Sequence, residues 1–317
     1  MVNWWAFEHL LTRGILPNLS SGAEISPSAM NVAIRVAVVV MMTVVGLGLT
    51  IEDFRRLTKQ PMLGLLGTKG QWLLLPLVAW AVAWALPLPP NIVAGMILVV
   101  GSPAGAISNY YSYLARADVA LSVSLTAVTS VASLVTMPLI VGMGFKMLIG
   151  VETDLVAPYG AIISQLFLVV LVPVAVGVTL RYQFPSWAER HQESMRRLSQ
   201  VTLVFVVVLV VVSLRGTLLR HLWLSALSTV FFTFLAGASG VAIGKAAGAD
   251  PPQVMTLAIE FACRNTAIPI LVSVAILDRP DLAVFALVFF LIQMSLTLGS
   301  IAVVGRRFQV PSTSANT

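Results

Sequence analysis

Glu260 and Arg264 stand in the middle of VMTLAIEFACRNTAIPILVSVAIL, a stretch otherwise apolar enough to cross a membrane. A charge at the centre of a membrane helix costs about 2.5 to 3.5 kcal/mol on insertion scales, so such residues pair or line a water-filled path. Asn265, Thr266 and Pro269 follow at once. A helix this polar at its centre is expected to be broken there. A broken, charged helix within a membrane bundle is how transporters commonly build their sites.

Composition sets the class. The 317 residues are 58% hydrophobic and 10% charged, against about 25% charged for a soluble domain. Mean hydropathy is +0.94. So much apolar surface needs lipid as its solvent, and the expectation is an all-α polytopic membrane protein. Apolar stretches run over about 31–50, 61–86, 91–114, 119–147, 157–181, 198–214, 221–247, 252–277 and 283–305, nine spans in all. Each is near the length an α-helix needs for about 30 Å of hydrocarbon. LPLPPN, QFPSWAERHQESMRR, GADPP and DRPD mark the joints between them.

The net charge of +6 does not point to nucleic acid, because the basic residues fall in the short loops where the positive-inside rule puts them. With the N-terminus outside, twelve Lys and Arg lie inside and six outside. The expected orientation is therefore N-out and C-in, with residues 306–317 a cytoplasmic tail and a bacterial plasma membrane the expected location. Cys263 is the single cysteine, which excludes an internal disulfide and a multi-cysteine metal site. His9, His191 and His221 lie near segment ends, so no histidine cluster forms. Residues 1–30 mix Trp4, Trp5 and Phe7 with Glu8, His9 and Arg13. They read as an interfacial amphipathic segment, with a degenerate tenth helix as the alternative. They lack the basic start and small-residue cleavage site of a signal peptide.

A second break is expected at GSPAGAISNYYSYLARAD, where Gly101, Pro103 and Gly105 interrupt an apolar run just before Ser108 and Asn109. It reads either as two half-helices with an unwound joint or as a simple proline kink. The two breaks fall in the third and eighth spans. They occupy equivalent places if residues 31–148 and 157–305 are two inverted repeats, the first lacking its opening helix. In the next helix Ser122, Thr126, Thr129, Ser130 and Ser133 share one face. Ser122 and Thr126, nearest the break, read as oxygen donors to a cation, and Thr129, Ser130 and Ser133 as packing. Gln71 is a further oxygen donor inside a span, and Gln293 is its counterpart in the last one. Trp72, Trp80 and Trp84 read as anchors or packing groups.

The run from Gln71 to Ser130 resembles the bile acid:sodium symporter family. The likeness lies in Gln71, Pro76, the Gly101-Ser-Pro-Ala-Gly bend, Ser108–Asn109 and the Asp118-x-Ala-Leu-Ser turn. Glu260 followed by Arg264-Asn265-Thr266 resembles the family's second crossover, and the likeness extends over about residues 31–305. It implies an inverted-repeat fold with panel and core domains and two crossing broken helices, in the nine-helix form. It also implies two sodium sites. One would use Ser108, Asn109, Ser122, Thr126 and Glu260. The other would use Gln71, Glu260, the carbonyls of Phe261 and Cys263, and a glutamine that is Arg264 here. A guanidinium offers donors only. Arg264 is therefore expected to replace the second sodium as a tethered cation beside Glu260, four residues back on the same helical face, leaving one Na⁺. Ala106 stands where the family has a hydroxyl, so the substrate cavity is expected to differ. Asn109, Asn265, Thr266 and Gln293 are the candidate substrate-binding residues.

The favoured reading is a secondary symporter of a small organic anion driven by sodium. The alternatives are a proton-coupled or sodium-independent carrier on the same fold, or a non-transporting membrane receptor. The chain has no HExxH, no paired intramembrane aspartates and no nucleophile elbow, so an enzyme is not expected. The sequence leaves the substrate's identity and the oligomeric state open.

Overall fold

The computed structural model describes residues 27–50, 52, 55, 61–105, 107–149, 164, 168 and 171–305. The described residues are helical, with no strand among them. In chain order the helices are α1 (Pro27–Gly48), α2 (Pro61–Ala85), α3 (Pro90–Gly101), α4 (Ile107–Leu114), α5 (Val119–Gly144), α6 (Val172–Gln183), α7 (Pro185–Ala246), α8 (Pro251–Ala262), α9 (Ala267–Leu271) and α10 (Ala283–Gly305). One π turn (Phe145–Ile149) extends α5 and another (Val272–Ile276) extends α9. The interfacial segment expected over residues 1–30 lies outside the described residues up to position 26, as do most of 150–171 and the tail from 306.

Local signals account for the boundaries. Pro27, Pro61, Pro90, Pro185 and Pro251 each open a helix, where the missing N–H costs nothing. The Asp118 carboxylate caps α5 by accepting the Leu121 N–H at 2.9 Å. After α7, Gly248 takes the left-handed conformation (φ 67°) that stops a helix, and Pro251 starts the next. Within α5, Pro138 cannot pair with the carbonyl one turn back, and the helix bends by 67° between Ser133 and Val135.

The chain is an integral membrane protein with many helices. Pro61–Ala85, Pro185–Val212, Arg215–Ala246 and Pro280–Val303 are each long and apolar enough to cross a bilayer, and bent α5 makes a fifth. The third and eighth expected spans are each divided. A 12-residue helix such as α3 or α8 reaches only about 18 Å, so neither crosses the hydrocarbon alone. One expectation is corrected. The charged stretch 183–197 was expected as a loop, but α7 begins at Pro185 and runs helically through it. The expected spans 198–214 and 221–247 fall in its two separate apolar parts, Pro185–Val212 and Arg215–Ala246. Pro185 at its start favours helix, and the polar residues after it form a wet first part rather than a turn.

Tight backbone contacts hold the helices. A Cβ on Gly46 of α1 would collide with the Val174 carbonyl of α6, and one on Gly177 with the Thr43 carbonyl. Small residues on both helices thus let α1 and α6 meet backbone to backbone. Helix α3 is buried continuously from Ile92 to Gly101 against α5, α10 and α2. Its C-terminal end carries the first break.

Candidate functional site

The two broken helices cross at their unwound joints. Helix α3 stops at Gly101, with Ser102 extended (φ −70°, ψ 155°) and Pro103 unable to donate. Helix α8 stops at Ala262, with Cys263 extended (φ −101°, ψ 110°). The two joints run antiparallel, with Ala104 opposite Arg264. Gly105 N–H donates to the Cys263 carbonyl at 3.3 Å, and Asn265 N–H to the Pro103 carbonyl at 2.9 Å. The Ser102 hydroxyl donates to the Asn265 carbonyl at 2.8 Å. These bonds satisfy backbone groups that hydrocarbon could not, which is what allows an unwound joint at this depth.

On one side of the crossing lies a dense group of oxygens. Glu260, near the end of α8, is fully buried. Its Oε1 accepts from Ser108 Oγ at 2.5 Å and from Ser122 Oγ at 2.6 Å. Thr126 Oγ1 lies 3.2 and 3.1 Å from its two carboxylate oxygens. Asn109 Oδ1 closes the group, 2.8 Å from Ser122 Oγ and 3.3 Å from Thr126 Oγ1. The five residues come from α4, α5 and α8. Three hydroxyl hydrogens are shared among six oxygens here, a surplus of lone pairs. A hydroxyl can rotate its hydrogen away and offer a lone pair instead, and hard oxygens of this kind suit a small hard cation. The structure thus gathers Ser108, Asn109, Ser122, Thr126 and Glu260 into one cluster. Thr129 and Ser133 turn away, their hydroxyls donating to the Leu125 and Ser130 carbonyls of their own helix.

The other side of the crossing is rich in donors. Arg264 Nη1 donates to Gln71 Oε1 at 2.5 Å, and Nη2 donates to the Val100 carbonyl at 3.3 Å and to the Ser102 carbonyl. Val100 and Ser102 carry carbonyls at the C-terminal end of α3, where the helix dipole favours a cation. Arg264 was expected beside Glu260 on one helical face. The structure corrects this: α8 ends at Ala262, so the four-residue relation no longer describes a helix turn. Among the described residues no ion pair joins the two, and the guanidinium reaches α2 and α3 instead. Thr68 Oγ1, Gln71 Nε2 and Arg264 Nε are buried without a hydrogen-bond partner there.

The remaining expected residues have distinct surroundings. Asn265 Oδ1 accepts from Ala267 N at 2.9 Å and Ile268 N at 3.4 Å, so it caps α9. Thr266 is buried beside it. Gln293 donates to Cys263 Sγ at 3.3 Å. The Cys263 carbonyl is taken by the crossing itself. Ala106 lies outside the described residues. Ser102 was not singled out from the sequence, yet its hydroxyl and carbonyl both serve the crossing. Its place inside the GSPAG bend was the only available signal.

Residues 35–222 match the profile described as the Sodium Bile acid symporter family. The chain belongs to that family. The matched region holds Gln71, Ser108, Asn109, Ser122 and Thr126 and ends before Glu260. Over 225 residues the chain is 29% identical to the uncharacterized sodium-dependent transporter YocS of Bacillus subtilis, covering 70% of this chain and 68% of that protein. It is 28% identical over 253 residues to the probable chloroplastic sodium/metabolite cotransporter BASS1 of Arabidopsis thaliana, covering 78% and 61%. It is 36% identical over 150 residues to the probable chloroplastic sodium/metabolite cotransporter BASS2 of Oryza sativa subsp. japonica, covering 47% and 34%. The chain thus spans less than two thirds of these two plant relatives. The family and these relatives are transporters, not enzymes.

Proposed function

We propose that this chain is a secondary transporter that couples the movement of a small organic anion to that of sodium by alternating access. The observation carrying this reading is the convergence of Ser108, Asn109, Ser122 and Thr126 on the buried Glu260 carboxylate. Sodium would enter this cluster as cargo, with the hydroxyl hydrogens turned outward. Because α4, α5 and α8 each contribute, a bound cation ties the crossing together before it moves. The chain's relatives, a sodium-dependent transporter and a probable sodium/metabolite cotransporter by name, support the same coupling ion.

Arg264 takes the place of a second cation in this reading. Gln71 Oε1 and the Val100 and Ser102 carbonyls already converge on its guanidinium. Asn109, Asn265, Thr266 and Gln293 are the proposed substrate contacts. Asn109 and Asn265 are only half-buried, as an accessible path requires.

The order of elements supports two inverted repeats. The spacing from Ala104 to Arg264 also carries α3 onto α8, α5 onto α10, and α2 onto the second part of α7. The proposed membrane is the bacterial plasma membrane, with the N-terminus outside and the C-terminus in the cytoplasm.

Binding of radioactive ²²Na⁺ to the purified chain, with K⁺ and choline as competitors, tests the reading. Saturable binding that choline does not displace is expected. An absence of sodium-specific binding overturns it.

A further inference from the structure

Resting on the sodium-coupled reading above, we propose that the substrate is a monovalent anion, moved with one sodium in an electroneutral cycle. Among the described residues, Glu260 and Arg264 are the charged side chains that are buried, at 0% and 4% exposure. Every other charged side chain that is described is at least partly exposed. Among the described residues the buried charge is therefore set by these two.

Their charges cancel. A guanidinium keeps its proton in proteins. Glu260 is surrounded by three hydroxyls as an acceptor, the arrangement that suits a carboxylate. The two groups point to opposite sides of one crossing, so neither quenches the other by contact, yet both move with it. With nothing bound, the crossing carries no net charge. Net charge in a low-dielectric interior is costly, so an empty crossing of zero charge can return without a companion ion.

The same accounting limits what may be loaded. The donor-rich side is filled by a cation that cannot leave, because Gln71 Oε1 and the α3 carbonyls are engaged with Arg264. Among the described residues, the oxygen-rich cluster at Glu260 is the place left for an exchangeable sodium. One sodium adds one positive charge. A monovalent anion restores neutrality, whereas a neutral solute or a dianion leaves a net charge to be carried through the membrane interior. Neither the loaded nor the empty crossing then moves net charge, and the membrane potential does no work on the cycle.

The test uses the full-length chain in proteoliposomes with ²²Na⁺ as the tracer. Acetate, pyruvate, benzoate, succinate, 2-oxoglutarate and the neutral solute glycerol are supplied in turn. Uptake is followed to its plateau at 0 and −100 mV, set with potassium and valinomycin. Monocarboxylates alone are expected to stimulate ²²Na⁺ entry, with the same plateau at both potentials. Each net charge carried per cycle would change the equilibrium product of the sodium and solute gradients about 50-fold at 100 mV, and the ²²Na⁺ plateau would move with it. A plateau that follows the potential overturns the inference, as does stimulation by glycerol or only by the dicarboxylates. In those outcomes sodium coupling itself survives. If no solute stimulates entry and ²²Na⁺ binding is also absent, the sodium-coupled reading fails and this inference with it.

Discussion

Asn265 donates its N–H to the Pro103 carbonyl at 2.9 Å while its side-chain oxygen accepts the Ala267 N–H, also at 2.9 Å. One residue thus binds one broken helix to the other and restarts its own. Where Pro103 cannot donate and Cys263 has left the helix, these bonds tie the two unwound joints to each other. The oxygens of α4 and α5 can then be held against Glu260.

Glu260→Gln should remove sodium binding and coupled uptake while leaving the protein in the membrane. The amide keeps the size of the side chain but replaces one acceptor oxygen with a donor and removes the charge. Sodium binding should fall at least tenfold, consistent with about 1.5 to 3 kcal/mol for a bond to a charged group. Binding and uptake near the parent level would show that the oxygen cluster is packing alone.

Asn109→Ala and Thr126→Ala should each raise the sodium concentration for half-maximal binding by roughly tenfold, about the worth of one strong polar contact. Thr129→Ala should change it less than about twofold, because its hydroxyl is spent on the Leu125 and Thr126 carbonyls of its own helix. An equal effect for all three, measured by ²²Na⁺ titration, would mean that helix packing and not ligation sets the affinity.

Part of this site is legible in the sequence. Gly101, Pro103 and Gly105 announce the first break because each opposes helix locally. Glu260 is conspicuous because charge in hydrocarbon is rare. Only the family resemblance put Gln71 and Arg264 in one site. Residue pattern alone could not, since they lie 193 positions apart, and nothing between Glu260 and Arg264 signals that the helix ends at Ala262. Cys263 has no conformational bias comparable to glycine or proline, and its extended backbone is imposed by pairing with Gly105. The continuity of α7 is hidden for the opposite reason. Its charged first part has the composition of a loop, and proline, its most visible punctuation, starts a helix as readily as it ends one.

Gly240→Leu should destabilise the protein without touching the oxygen cluster. A Cβ at Gly240 already meets the Leu257 carbonyl of α8, so any side chain pushes α7 away from the helix that carries Glu260. Overpacking of this kind costs about 1 to 3 kcal/mol, which should appear as a lower melting temperature in detergent. Gly216→Ala, where nothing lies within 4 Å, is the control and should stay near the parent value. A melting temperature for Gly240→Leu equal to the parent's would refute the close approach of α7 and α8.

Arg264→Gln separates two roles for the guanidinium. Removing it leaves Gln71 Oε1 and the Val100 and Ser102 carbonyls facing a residue that can donate to only one or two of them. If Arg264 stands in for a cation, these oxygens should accept a sodium in its place. The Hill coefficient for sodium should then rise from about one toward about two, and the ²²Na⁺ plateau should become sensitive to the membrane potential. Arg264→Lys should stay near one, since an ammonium keeps the charge but not the planar fork. If the guanidinium instead holds the anion's carboxylate, Arg264→Gln should lose anion affinity with its sodium cooperativity unchanged. A parent protein already showing a coefficient near two would remove the substitution from consideration, because three oxygens cannot serve a guanidinium and an exchangeable sodium together.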